Sequence, residues 1–347
     1  MPRDSGDRAI HLAPPLALRP LPLPPGDLDL IRAGPDLLDP YGLPAPRPED
    51  GPAARAFRRA FVAPPPGRRL RFVAAPRPAP APRAAAPEFV VARTPAPVPA
   101  RRSVNWSGAS LTALHGRSLV GVMARWRVPA VTGAAGRPAR ASVWIGLDGQ
   151  GAYRNASLPQ IGTLQIWDGA RAHYETWVQW WAKGENNAPQ PLGLAVAPGD
   201  VVSAILTVRD PATVRINLKN ETAGTMLQAF DLAAPGGRHV SGASAAWILE
   251  RPSPLGADGW HPYPLAAYGS LSFADGLAQS RGPGETMLTE HDLSRASLIR
   301  MIALDRVPGH ARTISSPARV TGDRRALTVR DGASFPTGRL TPPPPAA

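Results

Sequence analysis

Short apolar runs that alternate with polar residues dominate the chain from about Ser103 to Asp331. Turn residues separate these runs, and helical periodicity is almost absent. Examples are SLVGVMARWRV, ASVWIGLDG, LPQIGTLQIW, AHYETWVQWW, DVVSAILTV and SAAWILE. Alternation with this spacing is typical of antiparallel strands rather than of alternating strand and helix units. The pattern therefore predicts an all-β fold, an antiparallel β-sandwich, over residues 103–331.

Both ends of the chain lack this alternation. Residues 1–102 contain more than half of the 44 prolines, within strings rich in Ala and Arg. Because proline interrupts both helices and sheet ladders, we expect an extended or disordered segment, with short ordered patches at 27–38 and 57–62. Residues 332–347 should form a disordered tail. The N-terminal segment could be a linker, a pro-segment or a basic interaction arm, and the sequence leaves these alternatives open.

The net charge of +13 comes almost entirely from arginine. Such a charge favours contact with anionic surfaces, so one hypothesis is that the Arg-rich arm anchors the protein to one. No zinc-finger spacing, RNP-like string or basic heptad helix is present, so we do not expect a nucleic-acid partner. Pro and Arg interrupt every N-terminal apolar run, and no run approaches the length of a membrane span. We therefore expect no secretory signal peptide and no transmembrane segment, and we expect a monomer.

The residue types present restrict the possible chemistry. The chain has no cysteine, which excludes disulfides and thiolate metal sites. Common catalytic motifs such as GxSxG, HExxH and the P-loop are missing. The seven histidines are scattered singly, so no set of metal ligands can be recognised. The sequence predicts neither a metal nor a cofactor.

Tryptophan is abundant in the β-rich region, and a few polar residues interrupt its strands. Large aromatic side chains either pack a core or line a cleft for an extended ligand. A polar group on a half-buried strand costs free energy unless it is hydrogen-bonded or used in function. The candidate site residues are therefore Asp148, Gln160, Glu175 and Glu250.

Several of these strings resemble one family when they are taken in order. They are NWSGA, RWRVP, SVWIGLDG, PQIGT, HYETWVQWW, SAAWILERP and AYGSLSFADGLA, between Asn105 and Val329. This order resembles the glutamic peptidases, or eqolisins. The resemblance implies two curved sheets of the concanavalin A-like or jelly-roll type, a groove that binds a polypeptide, and secretion.

The resemblance also implies a mechanism of acid endopeptidase type. In it a glutamate removes a proton from water, and a glutamine amide donates to the oxygen of the tetrahedral intermediate. The glutamine corresponds to Gln160, which we expect at a groove surface that water can reach. The catalytic glutamate precedes the tryptophan of an AEWI string, and this chain has AAWI, so its position is occupied by Ala246.

The same resemblance assigns further residues to the groove. Substrate-binding positions fall on Trp106, Trp144, Asp148, Tyr174 and Trp247.

Two carboxylates could replace the missing glutamate. Glu250 shares a strand face with Ala246, but four residues at about 3.3 Å each place it about 13 Å away. Glu175 follows Tyr174, and a structural role for its carboxylate is the favoured interpretation. Leu164 stands where the family tends to have an acidic residue.

Two functions remain open from the sequence. The first is a glutamic-peptidase-type acid endopeptidase whose activity is in question because of Ala246. The second is a non-catalytic sandwich that binds a peptide or a carbohydrate in a Trp-lined groove, since fold alone does not decide function.

Overall fold

A computed structural model describes residues 16–76, 102–149, 157–183, 188–253, 262–304 and 311–332. The expected disordered tail lies outside these residues, apart from Gly332. The helices are α1 (Pro35–Leu38) and α2 (Pro52–Val62), with single 3-10 turns at Asp39–Tyr41 and Leu293–Arg295. Neither described helix has the length and apolar character needed to cross a membrane.

The strands account for most of the described residues. In chain order they are β1 (Leu18–Pro20), β2 (Arg71–Val73), β3 (Arg102–Ser103), β4 (Trp106–Thr112), β5 (Ser118–Arg127), β6 (Ala139–Leu147), β7 (Ser157–Trp167), β8 (Ala172–Ala182), β9 (Gln190–Leu192), β10 (Val201–Asp210), β11 (Thr213–Asn220), β12 (Thr225–Leu227), β13 (Phe230–Ala233), β14 (Ser244–Glu250), β15 (Ser270–Arg281), β16 (Thr289–His291), β17 (Ser297–Leu304), β18 (Ala311–Val320) and β19 (Asp323–Asp331).

The strands form two sheets that pack face to face. The front sheet has the order β9-β8-β7-β6-β14-β4-β17, and every neighbouring pair is antiparallel. The back sheet has the order β1-β13-β11-β10-β5-β15-β19-β18. Strand β17 also pairs with β18 and so joins the two sheets at one edge. The predicted antiparallel β-sandwich is confirmed.

Alternation along each strand separates the core from the outer faces. One set of side chains points between the sheets and forms the main core, which includes Val143, Ile161, Trp180, Trp247 and Phe273. In the front sheet, the other set belongs to a second apolar cluster on the outer surface of that sheet. We call this outer surface the front face. Because side chains have a period of two along a strand, neighbouring residues of one strand lie on opposite faces.

The N-terminal segment differs from the sequence-based expectation. We predicted an extended or disordered chain through residue 102 with short ordered patches at 27–38 and 57–62. Residues 16–76 instead contain two helices and two strands and pack against the back sheet, and the patch at 57–62 lies within α2. Residues 1–15 and 77–101 lie outside the described part of the chain. Strand β1 extends the back sheet beside β13, and β2 runs parallel to β12. Apolar residues of α2, among them Phe57 and Phe61, are buried against this face. Proline composition alone therefore misjudged this part of the chain.

Candidate functional site

A row of side chains crosses the front face at the level of Gln160. Gln160 of β7 is paired with Gly146 of β6 on one side and with Gln179 of β8 on the other. Gly146 is paired in turn with Ala246 of β14, and Ala246 with Ser110 of β4. We call these five residues the amide row. Because neighbouring strands lie about 4.8 Å apart, the Cα atoms of Gln160 and Ala246 are separated by about 10 Å.

The Gln160 amide is held by a second amide. Its Nε2 donates to Gln179 Oε1 at 2.8 Å. Gln160 is 4% exposed, so the expectation that water reaches it at a groove surface does not hold in this structure. Its Oε1 has no hydrogen-bond partner within the described part of the chain. A buried acceptor without a partner is unfavourable and uncommon, which makes this oxygen a candidate for contact with a ligand.

The part of the row that surrounds Ala246 is apolar. Ala246 is 1% exposed and belongs to the apolar cluster of the front face, together with Leu158 and Ile248. Leu158 lies above Gly146, because a Cβ built on that glycine would come within 2.8 Å of Leu158 Cδ1. The space between Ala246 and Gln160 is therefore bordered by a leucine side chain, and no member of the amide row is acidic.

Tryptophans form the next part of the front face. Trp144 is completely buried, and its ring meets that of Trp106 edge to face with 5.1 Å between centroids. Trp177 lies on the same face of β8 and donates its indole N–H to Ser142 Oγ at 3.1 Å. Of the predicted substrate-binding positions, Trp106 and Trp144 are therefore on the same face as Gln160.

Glu250 lies beside these tryptophans at the end of β14. Its Oε2 accepts from Trp144 Nε1 at 2.8 Å, and its Oε1 accepts from Asn105 Nδ2 at 3.0 Å. Burial raises the pKa of Glu250 to about 7, while hydrogen bonds from Trp144, Trp106 and Asn105 oppose that increase. The carboxyl group thus orients the indole of Trp144, and it is four residues away from Ala246 on the same strand face.

Asp148 is used to organise a loop. Its carboxylate accepts from the backbone N–H groups of Ser241 at 2.6 Å and Ala243 at 2.7 Å, and from Ser241 Oγ at 3.0 Å. Burial raises the pKa of Asp148, and these hydrogen bonds counteract the effect. Because the bonded loop leads directly into β14, Asp148 fixes the start of the strand that carries Ala246. Both of its carboxylate oxygens accept hydrogen bonds from this loop.

No cluster of His, Asp or Glu residues suitable for a metal ion occurs among the described residues.

Comparison with known proteins identifies the family to which the chain belongs. Residues 104–317 match the model of the Peptidase A4 family, which is well over half of the chain. The chain belongs to the peptidase A4 family. A comparison with curated proteins gives no significant match.

Solved structures of glutamic peptidases share the fold of this peptidase A4 family member. Scytalido-glutamic peptidase, solved with a transition state analog inhibitor, is 20% identical with a TM-score of 0.52, over 66% of this chain and 98% of that chain. SCP-B, an eqolisin solved with the tripeptide Ala-Ile-His, is 19% identical with a TM-score of 0.50, over the same shares of the two chains. The predicted resemblance to the eqolisins is confirmed.

Two residues expected in the groove of this family member lie on the opposite side of the front sheet. Trp247 follows Ala246 in β14, and its fully buried ring belongs to the main core, where Nε1 donates to the backbone oxygen of Met123 at 3.1 Å. Tyr174 also packs against the main core, and its hydroxyl accepts from Val131 N at 3.2 Å. The period of two along the strands explains both placements, because Gln160 and Ala246 face the other way.

The remaining candidates lie on the front face but outside the amide row. Glu175 is exposed and is paired with Leu164, which is four residues from Gln160 along β7. A separation of four residues corresponds to about 13 Å along a strand, so neither Glu175 nor Leu164 contacts Gln160 directly.

Sequence reasoning missed Gln179, the residue that holds the Gln160 amide. The dipeptide Asp168–Gly169 indicates a hairpin between β7 and β8. It does not give the register, because a two-residue turn there would pair Gln160 with Trp177. The loop has four residues, 168–171, so Trp167 is paired with Ala172 and Gln160 with Gln179.

Proposed function

We propose that this peptidase A4 family protein binds polypeptide on its front face and does not hydrolyse it. One observation carries the proposal: the strand register places Ala246 in the amide row with Gln160, where the resemblance to the glutamic peptidases requires a glutamate. An alanine methyl group can neither accept a proton from water nor return one to a leaving amine. The row therefore retains an amide and lacks the base.

The other carboxylates of the front face do not compensate for this loss. A general base must lie within hydrogen-bond distance of the water that it activates. Glu250 and Glu175 each occupy a position four residues along a strand from the amide row, which corresponds to about 13 Å. Glu250 is also bonded to Trp144 and Asn105, which keeps its carboxyl group at that position.

The groups that remain are suited to holding a polypeptide backbone. Amides can bond to both the N–H and the C=O groups of a peptide, and Gln160 Oε1 has no partner within the described residues. The tripeptide named with SCP-B supports a polypeptide ligand for this fold. Since Gln160 and Ala246 are almost fully buried, access of a polypeptide to the row requires side chains such as Leu158 to move aside.

Acid endopeptidase activity is the second candidate. Membership of the peptidase A4 family favours it, and Glu250 has a pKa near 7, which would let its carboxyl group exchange a proton under mild conditions. This candidate requires Glu250 or another carboxylate to approach the amide row when a substrate binds. It predicts cleavage products from the wild-type chain, whereas the proposed function predicts binding alone.

The test is a binding and cleavage experiment with the full-length chain and a fluorescently labelled unfolded polypeptide. Anisotropy measures binding across acidic and neutral pH, and mass spectrometry detects products. Gln160→Ala should weaken binding about tenfold, the loss expected when one buried hydrogen bond is removed. Gln165→Ala is the matched control, because Gln165 lies on the core face of the same strand and donates to Thr163.

Each outcome of this experiment decides between the candidates. Saturable binding that weakens in Gln160→Ala but not in Gln165→Ala, without products, supports the proposed function. Products that depend on Gln160 would establish the endopeptidase instead. Absence of binding, or equal binding by both variants, would show that the amide row is not a polypeptide site.

A further inference from the structure

The back sheet has an apolar patch on its outer face, and residues 16–76 cover it. Met123 of β5 is paired with Ile205 of β10 and with Leu277 of β15, so these three side chains form one row across three strands. Phe57 and Phe61 of α2 pack in the same cluster, and all five residues are buried. A sheet face exposed to solvent would be polar at these positions, so the patch is built for a partner.

Charged groups at both ends of α2 come from β16, which pairs with β15 of the back sheet, and from β11 of that sheet. At the N-terminus, Glu290 accepts from Ala54 N at 2.7 Å and from Ala53 N at 3.3 Å. At the C-terminus, Lys219 Nζ donates to the carbonyl oxygens of Phe61 at 2.9 Å and Ala63 at 2.6 Å. Negative charge at a helix N-terminus and positive charge at its C-terminus satisfy unpaired backbone groups and stabilise the helix dipole.

A buried polar bridge connects the centre of the helix with the same sheet. Arg58 forms an ion pair with Asp50 at 3.1 Å, and both side chains are almost completely buried. Gln279 of β15 accepts from Arg58 at 3.1 Å and donates to Asp50 at 2.8 Å. The ion pair lies within residues 16–76, and the sheet contributes the Gln279 amide, which bonds to both charged groups. Because these buried hydrogen bonds form only when the pair faces Gln279, the bridge favours one docked position of α2.

Contacts continue on both sides of the helix. Strand β1 pairs with β13 through three residues, and β2 pairs with β12 through three residues. Between them, Asn217 donates to the carbonyl oxygen of Gly42 at 2.9 Å, and Leu288 N donates to that of Glu49 at 2.9 Å. The segment is therefore bound along its length from Leu18 to Val73.

The number of residues that connect the segment to the sandwich would permit other positions. Residues 77–101 join the segment to the sandwich, and at about 3.3 Å per residue they could span roughly 80 Å. The contacts described above must therefore select the docked position. The contacts of α2 lie on the outer face of the back sheet, on the far side of the main core from Gln160, whereas β1 extends the edge of that sheet and its Leu18 joins the main core.

We propose that the outer face of the back sheet is a permanent docking surface for residues 16–76, strong enough that these residues stay bound as a separate polypeptide when the chain is cut experimentally between residues 77 and 101. The segment is a structural partner of the sandwich and not a cover for the amide row. A cut in the connection leaves the front face as it was, and complete removal of the segment exposes Met123, Ile205 and Leu277 to water.

The experiment uses the full-length chain with a site for a sequence-specific protease inserted between residues 77 and 101. After the cut, size-exclusion chromatography with light scattering should show one particle with the mass of the intact chain. Hydrogen exchange should still protect the amides of β5, β10 and β15. Elution of two separate fragments in native buffer, with the sandwich fragment still folded by circular dichroism, would overturn the proposal.

Substitutions in α2 and at Glu290 test whether the proposed docking surface is what holds the cut segment on the sandwich. Phe57→Ala with Phe61→Ala should release the cut segment, whereas Arg59→Ala, at an exposed position of the same helix, should not. If the double variant fails to fold, Glu290→Ala removes only the contact at the helix N-terminus and should weaken association of the cut pieces about fivefold. Association unchanged in both Glu290→Ala and the folded double variant would contradict the proposed surface.

Discussion

Protonation of Glu250, a carboxyl group on the front face, should change the measured free energy of unfolding. Burial raises its pKa from 4.5 to about 7, and Trp144, Trp106 and Asn105 donate hydrogen bonds to it. The folded chain therefore binds a proton at this position more tightly than the unfolded chain does. It follows that proton binding by Glu250 stabilises the folded state fully below about pH 4.5, and that this stabilisation is lost as the pH rises through about 7.

Glu250→Gln should remove this dependence on pH. The shift in pKa corresponds to at most about 3 kcal/mol, so the free energy of unfolding of the wild type should fall by an amount of that order between pH 4.5 and about 7. Urea denaturation at several pH values, followed by Trp fluorescence, measures the slope. Glu175→Gln changes an exposed carboxyl group of the same face and should leave the slope in place. An unchanged slope in Glu250→Gln would show that Glu250 does not titrate in this range.

At the level of single residues, the alternation of side chains between the two faces of a strand could predict the placement of some residues that motif matching placed wrongly. Ala246 and Trp247 are consecutive in a strand, so they cannot face the same side, and Trp247 packs in the main core. The role of Asp148 could not be predicted in this way. Its partners Ser241 and Ala243 are distant in sequence, and only the folded loop brings their N–H groups to its carboxylate.

At the level of elements, strands β6 and β7 depend on a glycine that lets them approach each other. A Cβ on Gly162 would lie 2.2 Å from the carbonyl oxygen of Val143 and 2.7 Å from Cβ of Trp144. The first contact is with backbone, which cannot rotate away as a side chain can. Gly162 therefore allows Trp144 to occupy its buried position beside the amide row.

Gly162→Ala should destabilise the fold by about 3 kcal/mol, the upper range for overpacking a buried site. Gly26→Ala is the control, because nothing lies within 4 Å of a Cβ at that position. Urea denaturation at one pH compares the two variants. Equal stabilities would mean that β6 and β7 can separate without cost, and that the close approach does not position Trp144.

Helix α2 shows why an element can be predicted only in part within a proline-rich segment, since the expected ordered patch at 57–62 covers only its second half. Ala54, Phe57 and Phe61 recur at helical spacing after Pro52, a residue that favours the first turn of a helix. The local pattern was thus sufficient to predict a helix through this range. The surface on which it docks was not predictable, because Met123, Ile205 and Leu277 meet only when three strands pair.

At the level of the whole molecule, the sandwich uses its two outer faces differently. The outer face of the back sheet is covered by residues 16–76, and the front face carries the amide row and the tryptophans. Alternation in the sequence and the ordered family strings were sufficient to predict the sandwich. The pairing of β14 with β6 was not, because these strands are about a hundred residues apart and their register depends on the complete sheet.

We propose that the chain lacks hydrolytic activity because residue 246 is alanine, in register with Gln160. To test this proposal, we would measure the rate at which the wild type, Ala246→Glu and Ala246→Gln cleave an unfolded polypeptide across acidic and neutral pH. The glutamine variant has the size of the glutamate variant without an ionisable group, and near-UV circular dichroism shows whether each variant is folded.

We predict that Ala246→Glu cleaves the polypeptide, whereas the wild type and Ala246→Gln release no product above background. Addition of Gln160→Ala to Ala246→Glu should then lower the rate by about a hundredfold or more, as expected for an oxyanion donor. Cleavage by the wild type that requires Gln160 would contradict the proposed function. So would a folded Ala246→Glu variant without activity, because residue 246 could then not be the position of the missing base.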